Sequence, residues 1–225
     1  MHTSLSAQPR WTRRKEARPQ ELLDAALALF VERGFVATRA EDVAARADVS
    51  KGTVYFYYAN KEELFKAVVR STLVSIIQEG QALVKDYQGS SSDLLRMLML
   101  TWWDRVGATK ASGLCKLVMA EAGNFPELAR FYYEEVIAPA HALFHAVLQR
   151  GIDRQEFRTI DLAMTTHTLM APVLLTMMWQ HSFAHCCQEP MPAPRAQIEY
   201  GVDLLLKGLL QPALLESSPS KRNTP

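Results

Sequence analysis

The sequence predicts an all-α protein in two parts: an N-terminal three-helix helix-turn-helix domain and a larger C-terminal helical domain. Three observations carry this prediction. Apolar residues recur at helical spacing along most of the chain, and no stretch alternates with period two. Two short helical patterns with cap residues follow one another closely between Thr38 and Leu64. The 225 residues, 48% hydrophobic and 22% charged, are enough for one or two domains with a sizeable core.

Residues 1–14 read as a disordered basic arm. Around its end Arg10, Arg13, Arg14, Lys15 and Arg18 stand against Glu16 alone. Such a stretch can contact phosphates or simply be solvated, and residue content leaves both open. From about Lys15 to Arg33 the stripe Leu22, Leu23, Ala26, Leu27, Leu29 and Phe30 marks a first helix, with Gly34 in the position of a C-cap. Thr38 and Glu41 have the spacing of a capping box, and Val43, Ala44 and Ala47 give the second helix a small apolar face. Asp48 tolerates the left-handed conformation that a tight turn needs. Ser50 can cap a third helix from Lys51 to about Tyr58, and Asn60 can cap a fourth, with Glu62 and Glu63 in its favourable first turn. Helix, short turn, helix is the arrangement that lays a second helix in the DNA major groove. That second helix carries Lys51, Gly52, Thr53, Tyr55, Phe56 and Tyr57, with no acidic residue to repel phosphates.

Beyond Asn60 the spacing predicts one long helix to about Gln88, broken at Gly89-Ser90-Ser91-Ser92. Further helices are expected from Asp93 to about Thr109, from Gly113 to Glu121, and from Pro126 to about Arg150, kinked or split at Pro139. A nearly all-apolar helix should follow from Asp161 to His185, kinked near Pro172, then a Pro-rich loop and a helix from Arg195 to Leu210. These last two long helices need burial on more than one side and are the expected dimer face. The domain limits are therefore set at residues 15–60 and 61–213, with a disordered tail at 214–225.

The segment from Gly34 to Leu64 resembles the DNA-binding domain of TetR-type transcriptional regulators. The match rests on Gly34-Phe35, Thr38, Val43-Ala44, Ala47, Val49-Ser50-Lys51-Gly52-Thr53-Val54-Tyr55, Tyr57 and Lys61-Glu62-Glu63-Leu64. Departures from the family pattern are Asp48 for Gly, Phe56 where His is common, Tyr58 where Phe is common, and Arg39 where Thr or Ser often caps. A weaker resemblance to one subgroup's C-terminal domain covers Met119-Ala120-Glu121 and Asn124-Phe125-Pro126-Glu127-Leu128. The resemblance implies that Thr38, Arg39, Ser50, Lys51, Gly52, Thr53, Tyr55, Phe56, Tyr57 and Lys61 meet a double-stranded DNA operator, Lys61 through a phosphate. It also implies a cytoplasmic homodimer, a repressor released from DNA by a small-molecule effector.

The C-terminal part is rich in Met and aromatic residues, which build cores and dimer interfaces and can also wall an adaptable pocket. Met97, Thr101, Trp102, Arg105, Glu121, His167 and Met170 are candidate effector contacts, with Arg105 free to pair either with a ligand carboxylate or with an internal Glu. His141 and His145, and likewise His181 and His185, place two imidazoles on one helix face, a spacing open to a metal. Neither pair has a nearby carboxylate to complete a site, so no metal and no other cofactor is expected. Cys115, Cys186 and Cys187 make no disulfide framework, and the N-terminus lacks the apolar core of a signal peptide. The apolar run from Leu162 to Phe183 is broken by polar residues and reads as a buried helix, so no membrane partner is expected. No nucleophile motif or phosphate-binding loop points to an enzyme. Two alternatives remain at this stage: a metal-responsive regulator using the His pairs, or a ligand-binding protein that does not use its helix-turn-helix.

Overall fold

The structure, a computed structural model, describes residues 10–184, 186 and 192–211, with side chains described from residue 19 on. His185, Cys187, most of the expected N-terminal arm and the expected tail lie outside the described residues. Every long element among the described residues is a helix, and the single β-bridge pairs Phe157 with Leu210. The chain forms two compact units, one through Ser71 and one from Thr72 onward.

The first unit holds α1 (Arg10–Ala37), α2 (Ala40–Arg46), α3 (Lys51–Tyr57) and α4 (Lys61–Val69). Helix α1 begins at Arg10, so residues 10–14 are helical and not part of a disordered arm. Arg13, Arg14, Lys15, Glu16 and Ala17 are good helix formers, and nothing among them stops the helix from extending. At Gly34 the backbone turns to φ 84°, ψ 172°, a region open in practice only to glycine, and this bends the end of α1. Phe35 can then fold back beside Phe30 and Phe65, with ring centroids 5.3–5.8 Å apart. Leu22, Ala26, Leu29, Val43, Val54, Leu64 and Val68 complete this core. Because α4 packs on α1, the unit extends past the expected boundary at residue 60.

The expected long helix after Asn60 is present, helical without a break from Lys61 to Asp86. A π-helical turn, Arg70–Val74, joins α4 to α5 (Ser75–Asp86). The second unit continues with α6 (Ser91–Trp102), α7 (Ser112–Glu121), α8 (Pro126–Tyr132), α9 (Ala138–Asp153), α10 (Leu162–Ser182) and α11 (Pro194–Leu209). The segment around Pro139 stays helical from Pro126 to Asp153 and changes helix type just before the proline. A π turn, Tyr133–Ile137, lies directly before it, with Ile137 and Ala138 in α-helical conformation leading into Pro139. Pro172 lies inside α10, which continues through it as a single element. Helix α9 packs on α5, α6 and α10, while α10 also meets α7 and α11. The Arg150 guanidinium donates to the carbonyls of Tyr87 and Gly89 and to Ser91 Oγ (2.8–3.0 Å), fastening the loop before α6 to α9. Helix α10 is long and apolar enough to cross a membrane by length and composition alone; here it packs against three other helices.

Candidate nucleic-acid interface and ligand cavity

In the first unit the turn between α2 and α3 is built as its residues require. Asp48 takes φ 52°, the left-handed conformation its short polar side chain tolerates. Ser50 Oγ accepts from Thr53 N at 3.1 Å, and Asn60 Oδ1 accepts from Glu63 N at 2.8 Å, so both expected caps are present. With its N-terminus held this way, α3 buries Val54 alone. Lys51, Gly52, Tyr55 and Phe56 face outward, and Thr53, Tyr57 and Tyr58 are half-buried.

Lys51 forms an ion pair with Glu41 at 2.5 Å. The hydrogen bond between them lowers the Glu41 carboxyl pKa and raises that of the Lys51 ammonium. Both side chains are about half exposed, so this surface pair adds little to stability. Arg46 pairs with Glu32 at 2.7 Å and Arg33 with Asp42 at 3.5 Å, tying α2 to α1.

One expectation for this face, Thr38, is corrected, and two other residues take on structural roles. Thr38 is not the N-cap of α2. It is 1% exposed, and its hydroxyl turns inward toward the carbonyl oxygens of Gly34 (2.7 Å) and Leu29 (3.2 Å). The single hydroxyl proton is shared between the two, with the shorter contact to Gly34 at the bend. Thr38 therefore has no surface to offer DNA. The N-cap position belongs to Arg39, whose side chain makes no cap bond and is exposed. Lys61 donates to the carbonyls of Phe35 (2.8 Å) and Val36 (3.1 Å) and lies 4.6 Å from the Phe35 ring centroid. It thus caps the end of α1, and one of its three donors remains for any phosphate.

In the second unit a cavity of about 280 Å³ opens between α5, α6, α9 and α10. Its walls are mainly apolar, with Ile76, Leu98, Leu143, Phe144 and Met170 among them. Gly80 forms part of the wall where α5 comes close to α9; a Cβ there would lie 2.9 Å from Leu143 Cδ2. Polar groups are few. Thr101 and Trp102 reach the cavity from α6, and Arg105 from the π turn that follows (Trp103–Gly107). Arg105 forms a bidentate pair with Glu79 of α5, which raises its own pKa and lowers that of Glu79. Of the two partners open to Arg105, the internal Glu is the one it meets here. Trp102 Nε1 is buried and finds no acceptor among the described residues.

Of the expected effector contacts, Thr101, Trp102, Arg105 and Met170 line this cavity; Met97, Glu121 and His167 do not. Glu121 accepts from Asn124 at 3.0 Å, and the His167 ring packs edge-on against His141 at 5.0 Å. The α5 residues Ile76, Gly80 and Leu83 were missed. Their spacing matches an ordinary core stripe, and only the fold shows that the space beside them is unfilled. The His141–His145 pair gains no third metal ligand, since no group of three His, Cys, Asp or Glu among the described residues could hold a metal ion. His181 Nε2 is instead 2.7 Å from Ser112 Oγ.

Comparison with known proteins bears on both units. The model described as "Bacterial regulatory proteins, tetR family" matches residues 22–68, and "Tetracyclin repressor-like, C-terminal domain" matches residues 86–184. The transcriptional repressor SCO4008 of Streptomyces coelicolor is 30% identical over 167 residues, covering 70% of this chain and 81% of its own. The transcriptional repressor KstR2 of Rhodococcus jostii is 26% identical, covering 73% and 80%. Among solved structures, SmeT in complex with triclosan superposes with a TM-score of 0.73 at 20% identity, over 93% of this chain and 98% of that one.

Proposed function

Since the chain belongs to the TetR family of transcriptional regulators, we propose that it is a dimeric repressor which a small, largely apolar molecule releases from its operator. The observation that carries the DNA-binding part is α3. Both of its ends are anchored, only Val54 is buried, and its outer face offers Lys51, Gly52, Tyr55 and Phe56 with no carboxylate of its own. Arg39, Ser50, Thr53 and Tyr57 flank that face and are proposed to contact the groove or its phosphate walls.

A single helix of seven residues buries too little for useful specificity, so two copies reading two half-sites are needed. The proposed dimer face is formed by α10 and α11, which leave Met164, Leu175, Tyr200 and Leu204 more than half exposed.

The cavity supports the effector part of the reading. At about 280 Å³ it lies near the small end of the range for small-molecule sites, ~300–1,000 Å³. A compact apolar or aromatic compound suits it, as triclosan suits SmeT, and Trp102 Nε1 could donate to one acceptor on that compound. Binding there shifts DNA affinity only if the effector prefers one of two packings of these helices. A ~100-fold release requires about 2.7 kcal/mol of such preference.

The test is a screen of small aromatic and apolar compounds against the protein–operator complex by fluorescence anisotropy. A compound is expected that lowers operator affinity, and Thr101→Trp, which fills the cavity from its exposed edge, is expected to abolish the response while DNA binding stays intact. If the filled variant responds like the parent, the effector binds elsewhere. If no compound changes the affinity, the protein is a constitutive binder.

A further inference from the structure

Phe56 is 79% exposed, the highest value among the described large hydrophobic side chains, and it lies on the outer face of α3. Gly52 precedes it by one helical turn, so the two share one outward strip. The Phe56 ring packs edge-on against Tyr57, with centroids 5.1 Å apart, which leaves the surface over Gly52 open and the outer side of the ring in water. The fold itself has no use for that glycine. It has no left-handed backbone angle, and a Cβ added there would meet only Ser50 Oγ, at an ordinary 3.7 Å. Glycine within a helix is less stable than alanine, so a position that could accept a side chain but carries none suits the close approach of an outside partner. A large apolar ring in water, one turn along the helix from an open notch, suits an apolar partner.

Phenylalanine has no donor or acceptor with which to read the hydrogen-bonding edges of the bases. The one apolar mark in the major groove is the 5-methyl group of thymine. We propose that Gly52 and Phe56 together seat a thymine methyl group and so fix a thymine at one position of each operator half-site. Lys51, Thr53 and Tyr55 carry the polar and phosphate contacts around it. This rests on the DNA-binding reading above, and its test separates the two failures.

The full chain first selects duplexes from a random library. Each thymine of the selected half-site is then replaced in turn by deoxyuridine, which removes only the methyl group. At one position per half-site the affinity is expected to fall about fourfold, the effect of losing one buried methyl. Phe56→Ala is expected to bind thymine and uracil duplexes equally, while Phe56→Leu keeps part of the preference. Gly52→Ala is expected to weaken operator binding while raising the melting temperature, which a purely structural glycine would not do. Indifference to uracil at every position, or a thymine preference that persists in Phe56→Ala, would overturn the inference with DNA binding intact. Failure to select any duplex would overturn the DNA-binding reading and this inference with it.

Discussion

At the scale of single residues, the same side-chain chemistry serves different ends depending on where the backbone leaves unpaired groups. Thr38 and Ser50 are both hydroxyl residues just ahead of short helices, and both have the look of caps. Ser50 is one, because its partner, Thr53 N, is three residues on and local geometry brings them together. Thr38 is not, because its hydroxyl turns back to carbonyls four and nine residues upstream. Those partners exist only once α1 has packed, so the spacing to Glu41 was a misleading signal. Thr38→Val keeps the shape and leaves a buried carbonyl unsatisfied, with an expected cost of about 1–3 kcal/mol in urea unfolding. A normal stability with a large loss of DNA affinity would instead return Thr38 to the groove. The same contrast separates Asp48, whose left-handed turn follows from its own side chain, from Lys61, whose carbonyl partners come from the far end of α1.

At the scale of elements, helical periodicity located most of the helices, because a buried stripe leaves its mark every three or four residues. It could not find the three π turns, since an extra residue in a turn leaves the apolar pattern almost unchanged. Nor could it show which apolar residues border empty space, which is why Ile76 and Leu83 read as core. The contact between α9 and α10 has a pH dependence of its own. Burial first, and then the neighbouring rings of His167 and His145, hold the His141 pKa below its ordinary value of 6.5. The folded protein therefore binds a proton at His141 less readily than the unfolded chain does. The resulting stability is fully present above about pH 6.5 and is lost as pH falls from there through the lowered folded value. Thermal melts from pH 7.5 downward should show this decline, and His141→Gln should flatten it. A variant with an unchanged slope would assign the decline to other groups.

For the whole molecule, the proposed function requires two copies acting together. If α10 and α11 form the dimer face, Leu175→Glu places a carboxylate in an apolar interface and should yield monomers in sedimentation equilibrium. Operator affinity should fall with it, since each half-site would bind alone. A Leu175→Glu variant that stays dimeric would place the interface on another surface. The central claim is that this chain is a sequence-specific DNA-binding regulator, and one measurement tests it most directly. That measurement is fluorescence anisotropy of the full chain with a library-selected duplex and a scrambled control, over a salt series. The account predicts tight binding to the selected duplex alone, a log–log slope of about −0.9 for each phosphate neutralised, and loss of binding in Tyr55→Ala with the fold intact. Equal, weak and salt-insensitive binding to both duplexes would contradict it and leave a ligand-binding protein with an idle helix-turn-helix.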